Sequence, residues 1–73
     1  MTIYNGHKNY NHWNVALWIN NDQCLYWLAK DAIHLTTSRA AAVAYFLEYV
    51  GSDKTPDGVP YSKSSVRAAM VGL

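Results

Sequence analysis

Residues 10–19, Tyr-Asn-His-Trp-Asn-Val-Ala-Leu-Trp-Ile, are the first stretch whose apolar positions recur at helical spacing. Trp13, Ala16 and Leu17 make the stripe, and Val15 and Trp18 widen it until little of the circumference stays polar. Such a helix is predicted to be central, with Asn9 or Asn11 accepting from the free amides of its first turn. Asn20-Asn21-Asp22-Gln23 interrupts the pattern, and Asn20 followed three residues later by Gln23 has the spacing of a variant capping box. A second helix is expected from about Asp22 to His34, facing inward with Leu25, Leu28, Ala29, Ala32 and Ile33. Asp22 is then a first-turn residue whose charge meets the helix dipole. Thr36, Thr37 and Ser38 can cap a third helix from about Ser38 to Val50, stopped by Gly51, with Ala40, Val43, Phe46, Leu47 and Val50 inside.

Residues 51–61 read as a loop in which Pro56-Asp57-Gly58 makes a turn, since proline presets φ and glycine is free to take positive φ. Ser62, Ser64 or Ser65 can cap a short last helix through Val66, Ala69, Met70 and Leu73. Period-two alternation never persists for four or five residues, so the expected class is all-α: a bundle of three to four short helices. The expected layout is one helical domain over 1–73, with an irregular arm at 1–9, a three-helix core at 10–50, a loop at 51–61 and a C-terminal helix at 62–73. Ile3 and Tyr4 are expected to tuck against the body, and either the arm or Val59 to Tyr61 could pair as a short strand.

Seventy-three residues with 51% apolar content and ten aromatics suit one packed domain rather than a disordered chain. Six Lys plus Arg against five Asp plus Glu give a formal charge of +1, which supplies no basic field of the kind that holds nucleic-acid phosphates unaided. A single cysteine excludes an internal disulfide and fits a reducing compartment. The first residues show no basic stretch followed by an apolar one, and the longest apolar run, Ala40 to Leu47, falls far short of a bilayer span. The expected location is the cytoplasm of a bacterial host cell.

His7, His12, His34 and Cys24 have metal-ligating side chains, but their spacing fits no helical pair or knuckle, so no metal and no cofactor are expected. Cys24, beside Leu25, is expected to be a buried or half-buried small hydrophobe. The five acids are scattered: Asp31 on a solvated face, Glu48 near a helix end, Asp53 and Asp57 in turns. No nucleophile, base and orienting group are brought together by the pattern, so no catalytic residues are assigned and an enzyme is not expected. Of the cations, Lys54, Lys63 and Arg67 could gather near one end and contact phosphates, which is the nucleic-acid alternative. Neither the second nor the third helix has the polar N-terminal face of a recognition helix. Asn14, in an otherwise apolar helix, must be hydrogen-bonded if buried, with free carbonyls of the arm or of a helix end as expected partners.

The placement of aromatics is more informative. Trp27 lies about 200° from Leu25 around the second helix, on the side of Lys30, Asp31 and His34. By the same geometry Tyr45 and Tyr49 point away from Val43, with Ala41 and Ala42 beside them. Exposed Trp and Tyr dominate protein interfaces because they bury much area with few rotors to freeze. Trp27, Tyr45, Tyr49, Lys30 and His34 are therefore the candidate protein-binding residues. The competing readings are that the N-terminal arm covers them, or that Tyr45 and Tyr49 form the seam of a homodimer.

Two stretches carry a resemblance: Asn9 to Asp22, continuing through Leu25-Tyr26-Trp27-Leu28-Ala29, and Thr55-Pro56-Asp57-Gly58-Val59. They resemble a family of small proteins of unknown function carried by bacteriophages and other mobile elements, with a Tyr-x-Thr-Trp-Asn-Val-x-Leu-Trp-x-x-Asn-Asp core. His12 stands where that core has Thr, and Cys24 where Gly is frequent, so the first corner is expected to pack differently here. The resemblance implies an accessory gene of a mobile element and brings no activity, cofactor or site residues. By analogy with compact phage proteins that block host machines through surface contact, the expected function is inhibition of a bacterial defence complex such as a CRISPR effector, an anti-CRISPR role. A nucleic-acid-binding regulator and a homo-oligomeric structural protein are the alternatives.

Overall fold

A computed structural model of the chain describes residues 9–73; the expectations for the arm, with its Ile3, Tyr4 and His7, lie outside the described residues. Asn9, in extended conformation, accepts from the His12 amide at 3.0 Å and opens α1, Tyr10–Asn21. One residue separates α1 from α2, Gln23–Leu35. That residue, Asp22, closes α1 by donating its backbone N–H to the Trp18 carbonyl at 2.8 Å and opens α2 by accepting from the Leu25 amide at 3.1 Å. Asp22 is thus the cap of α2 rather than a member of its first turn, because it is the residue with non-helical φ and ψ. Asn20, still inside α1, cannot serve and donates to the Ala16 carbonyl at 2.8 Å.

Ser38 opens α3, Arg39–Tyr49, by accepting from the Ala41 amide at 3.1 Å, and the chain leaves it through Val50 and Gly51 at φ +81°. Before α4, Lys63–Met70, Ser62 and Ser65 form a reciprocal box: each hydroxyl accepts from the other's backbone amide at 3.0 Å. Serine at the third helical position does what Glu or Gln commonly does there. Between α3 and α4 the chain folds back on itself. Gly58 donates to the Thr55 carbonyl and Thr55 to the Val59 carbonyl, both at 2.8 Å, with Gly58 at φ +85°. This is a three-residue hairpin loop with its left-handed glycine, at the position the Pro-Asp-Gly pattern marked. The pairing expected of Val59 to Tyr61 is confined to one antiparallel bridge, Lys54 with Pro60, and a Tyr61 to Asp53 hydrogen bond at 2.9 Å. No strand forms among the described residues, and the fold is all-α with four helices.

Each helix packs on its neighbours in sequence and α4 closes the ring against α1. The buried centre is Val15 and Ile19 from α1, Ala29 and Ala32 from α2, Ala42, Val43 and Phe46 from α3, Val59 from the hairpin, and Val66, Ala69 and Met70 from α4. Leu25, Leu28, Ile33, Leu47 and Val50 pack on its edge. Two inward faces differ from the sequence reading. On α1 the stripe runs through His12, Val15, Ala16 and Ile19, one residue, or about 100°, from the Trp13, Ala16, Leu17 stripe, and Leu17 is left exposed. On α3, Ala42 and Tyr45 turn inward while Ala40 is exposed. Both helices are apolar nearly all round, so periodicity does not single out a face and the partner helices decide it.

Candidate functional site

Asn14 and the hairpin join the two stretches that carry the resemblance. Asn14 is 1% exposed at the centre of α1. Its side-chain nitrogen donates to Asp57 Oδ2 at 2.8 Å and reaches the Tyr10 hydroxyl at 3.4 Å, while its oxygen accepts from the Thr55 hydroxyl at 2.8 Å. Thr55 in turn accepts from the Val59 amide at 3.2 Å, and the Trp18 indole donates to the same Asp57 oxygen at 3.0 Å. The partners expected for Asn14, backbone carbonyls of the arm or a helix end, are replaced by side chains of the turn. Donation by Asn14 and then by Trp18 holds the Asp57 carboxyl below the usual carboxylate range, against a small opposing effect of desolvation. With Asn14 and Thr55 both buried and paired, no buried side-chain nitrogen or oxygen among the described residues lacks a partner. The arrangement is a clamp that fastens the hairpin to α1.

The aromatic candidates divide. Trp27 on α2 is 54% exposed and Tyr49 on α3 is 60% exposed. The Tyr26 ring stands edge-on to Trp27 with centroids 5.6 Å apart, and Lys30 Nζ lies 5.8 Å from the Tyr26 centroid, a cation over a ring. His34 is exposed near the end of α2. Tyr45 does not point away from the bundle: it is half-buried against the core, and its ring supports that of Tyr49 at 4.7 Å. Tyr26 was missed by the sequence reading, although its place next to Trp27 and four residues before Lys30 was a signal for it.

Of the three cations named for nucleic acid, the structure brings two together. Lys63 and Arg67 line one depression with Ala40, Val43 and Ala44, whereas Lys54 lines another, beside the hairpin, with Asp22, Leu25 and Tyr61. Burial pushes the Tyr61 hydroxyl above its ordinary pKa, and the Asp22 carboxylate adds to the effect. His12 Nε2 lies 2.9 Å from the Ser64 hydroxyl, across the α1–α4 contact. Cys24 is exposed, contrary to the expectation of burial, because it sits off the Leu25 and Leu28 stripe. Among the described residues no three His, Cys, Asp or Glu side chains gather as metal ligands; His7 lies outside them. No helix among the described residues is long and apolar enough to cross a membrane.

Among the described residues these features define a small four-helix protein with a hairpin clamped to its first helix and with Trp27 and Tyr49 exposed on α2 and α3. Residues 1–72 match a family of unknown function, DUF7249, and the chain belongs to that family. No curated protein and no solved structure matches it.

Proposed function

We propose that this protein works by binding another protein through the aromatic surface of α2 and α3, and that it has no catalytic activity of its own. The observation that carries the reading is Trp27, more than half exposed on a helix whose opposite face is packed. Leaving about half of a large ring in water forgoes a corresponding share of the roughly 1.5–3 kcal/mol that full burial of a large apolar side chain supplies. Tyr26 and Trp27, with Lys30 over the Tyr26 ring at the edge, present the aromatic chemistry enriched in interface centres. The resemblance to small proteins of mobile elements supports a phage accessory role in the bacterial cytoplasm. It makes a host defence complex, such as a CRISPR effector, the partner proposed here.

The test is a nuclease-treated pull-down from a CRISPR-bearing host with tagged wild type and a Trp27→Ala, Tyr49→Ala double variant. Tyr49 is chosen over Tyr45 because Tyr45 supports the core. Retention of the effector complex by the wild type alone supports both the class and the face. Retention by both proteins refutes the face, and retention that vanishes with nuclease treatment favours the nucleic-acid alternative through Lys54, Lys63 and Arg67.

A further inference from the structure

We propose that the groove between α3 and α4 receives an acidic amphipathic helix of a partner protein, whose carboxylates pair with Lys63 and Arg67 while its apolar edge rests on Ala40, Val43 and Ala44. These five residues line one depression on the side of the bundle where the last two helices meet. Lys63 and Arg67 are four apart on α4, so their heads rise from neighbouring turns of one face, and both are exposed. Neither makes an ion pair or side-chain hydrogen bond among the described residues. Arg39, by contrast, is engaged at the far end of α4, where it donates to the Met70 carbonyl at 3.1 Å. α4 carries no acid, and the five residues lining the groove include two cations and no carboxylate. Two carboxylates placed four apart on an incoming helix match that spacing.

The floor decides between macromolecules. Methyl groups of alanine and valine offer no donor to a phosphodiester backbone, whereas small side chains let a second helix come close enough for ridges to enter grooves. Two cations alone are also a small footprint for nucleic acid, whose affinity grows with the number of phosphates neutralised. The groove shares no residue with the Tyr26, Trp27 and Lys30 set, and it stands or falls independently of the aromatic face.

The experiment uses the full chain, isotopically labelled, and two helical peptides that present Leu and Ala on one face. One peptide carries Glu at two flanking positions four apart, the other Lys at the same positions. Saturable amide shifts at Ala40, Ala44, Lys63 and Arg67 with the Glu peptide, and binding of the Lys peptide weaker by about tenfold, are expected. Lys63→Glu with Arg67→Glu reverses that preference with unchanged helical circular dichroism, and Trp27→Ala leaves it untouched. Equal binding of the two peptides, shifts confined to other residues, no shift with the Glu peptide, or displacement of that peptide by duplex DNA at physiological salt each overturns the proposal.

Discussion

The Asn14 amide meets the Asp57 carboxylate at 2.8 Å across 43 residues of chain, the longest-range of the hydrogen bonds in the clamp. A turn that local sequence can form on its own is thereby fixed to the first helix, with α2 and α3 lying between them along the chain. Because Thr55 bonds the other end of the same amide, Asn14 reads both the start and the third residue of the turn at once.

Replacing Asn14 by Ala removes both bonds and leaves the buried Thr55 hydroxyl without its acceptor. An orphaned buried group costs about 1–3 kcal/mol, which for a domain of this size lowers Tm by roughly 4–8 °C per kcal/mol. Thr55→Val alone strands the Asn14 oxygen and is expected to cost a similar amount. The double variant should lose less than the sum, with a coupling of about 0.5–3 kcal/mol in a thermal-melt cycle. Strict additivity would show that the two side chains act separately.

Asp57 makes the clamp sensitive to acid. Its carboxyl is held below the ordinary carboxylate value by donors that exist only in the folded chain, so the folded state binds this proton less readily than the unfolded one. The stabilisation is fully present above the unfolded value, about pH 4, and is lost as pH falls through the lower folded value. Wild-type Tm should therefore fall more steeply below about pH 4 than that of Asp57→Asn, with the two curves converging at low pH. Parallel curves over that range would mean that the contact carries no charge-dependent stability.

Much of the helical layout was legible because local chemistry wrote it. Asn9, Ser38 and Ser62 cap where short oxygen-bearing side chains precede apolar runs, and Gly51 and Gly58 take the left-handed conformations that their neighbours imply. What sequence could not give was orientation around α1 and α3. In both, apolar residues cover most of the circumference, so the choice of Ile19 over Leu17, or of Ala42 over Ala40, is made by the helices packed against them. The clamp was half legible: Asn14 announced itself as a polar residue in an apolar helix, and Asp57 as a turn former. Their meeting is a tertiary fact that no spacing along the chain encodes.

Gly58 offers a clean separation of backbone from packing. Its φ is +85°, yet a Cβ built there meets nothing within 4 Å. Gly58→Ala should thus lose only the left-handed backbone penalty, about 1–2 kcal/mol. A chemically synthesised chain with D-alanine at the same position should match the wild type or exceed it by about 0.4–1 kcal/mol, because that residue prefers positive φ and restricts the unfolded chain. Equal destabilisation by both would mean that the turn tolerates no side chain, and that the strain account is wrong.

The exposed aromatics and the buried one should separate in stability as they do in structure. Phe46 is fully buried and meets the Tyr61 ring edge-on at 5.7 Å, so Phe46→Ala is expected to cost about 3–5 kcal/mol and to weaken the seating of the hairpin on α3. Trp27→Ala, on the outer side of α2, should change stability by no more than about 0.5 kcal/mol. Denaturant melts of the two variants check this before any binding experiment. A Trp27→Ala protein destabilised on the scale of Phe46→Ala would place that ring in the packing of the bundle, and loss of binding in that variant would then report unfolding instead of contact.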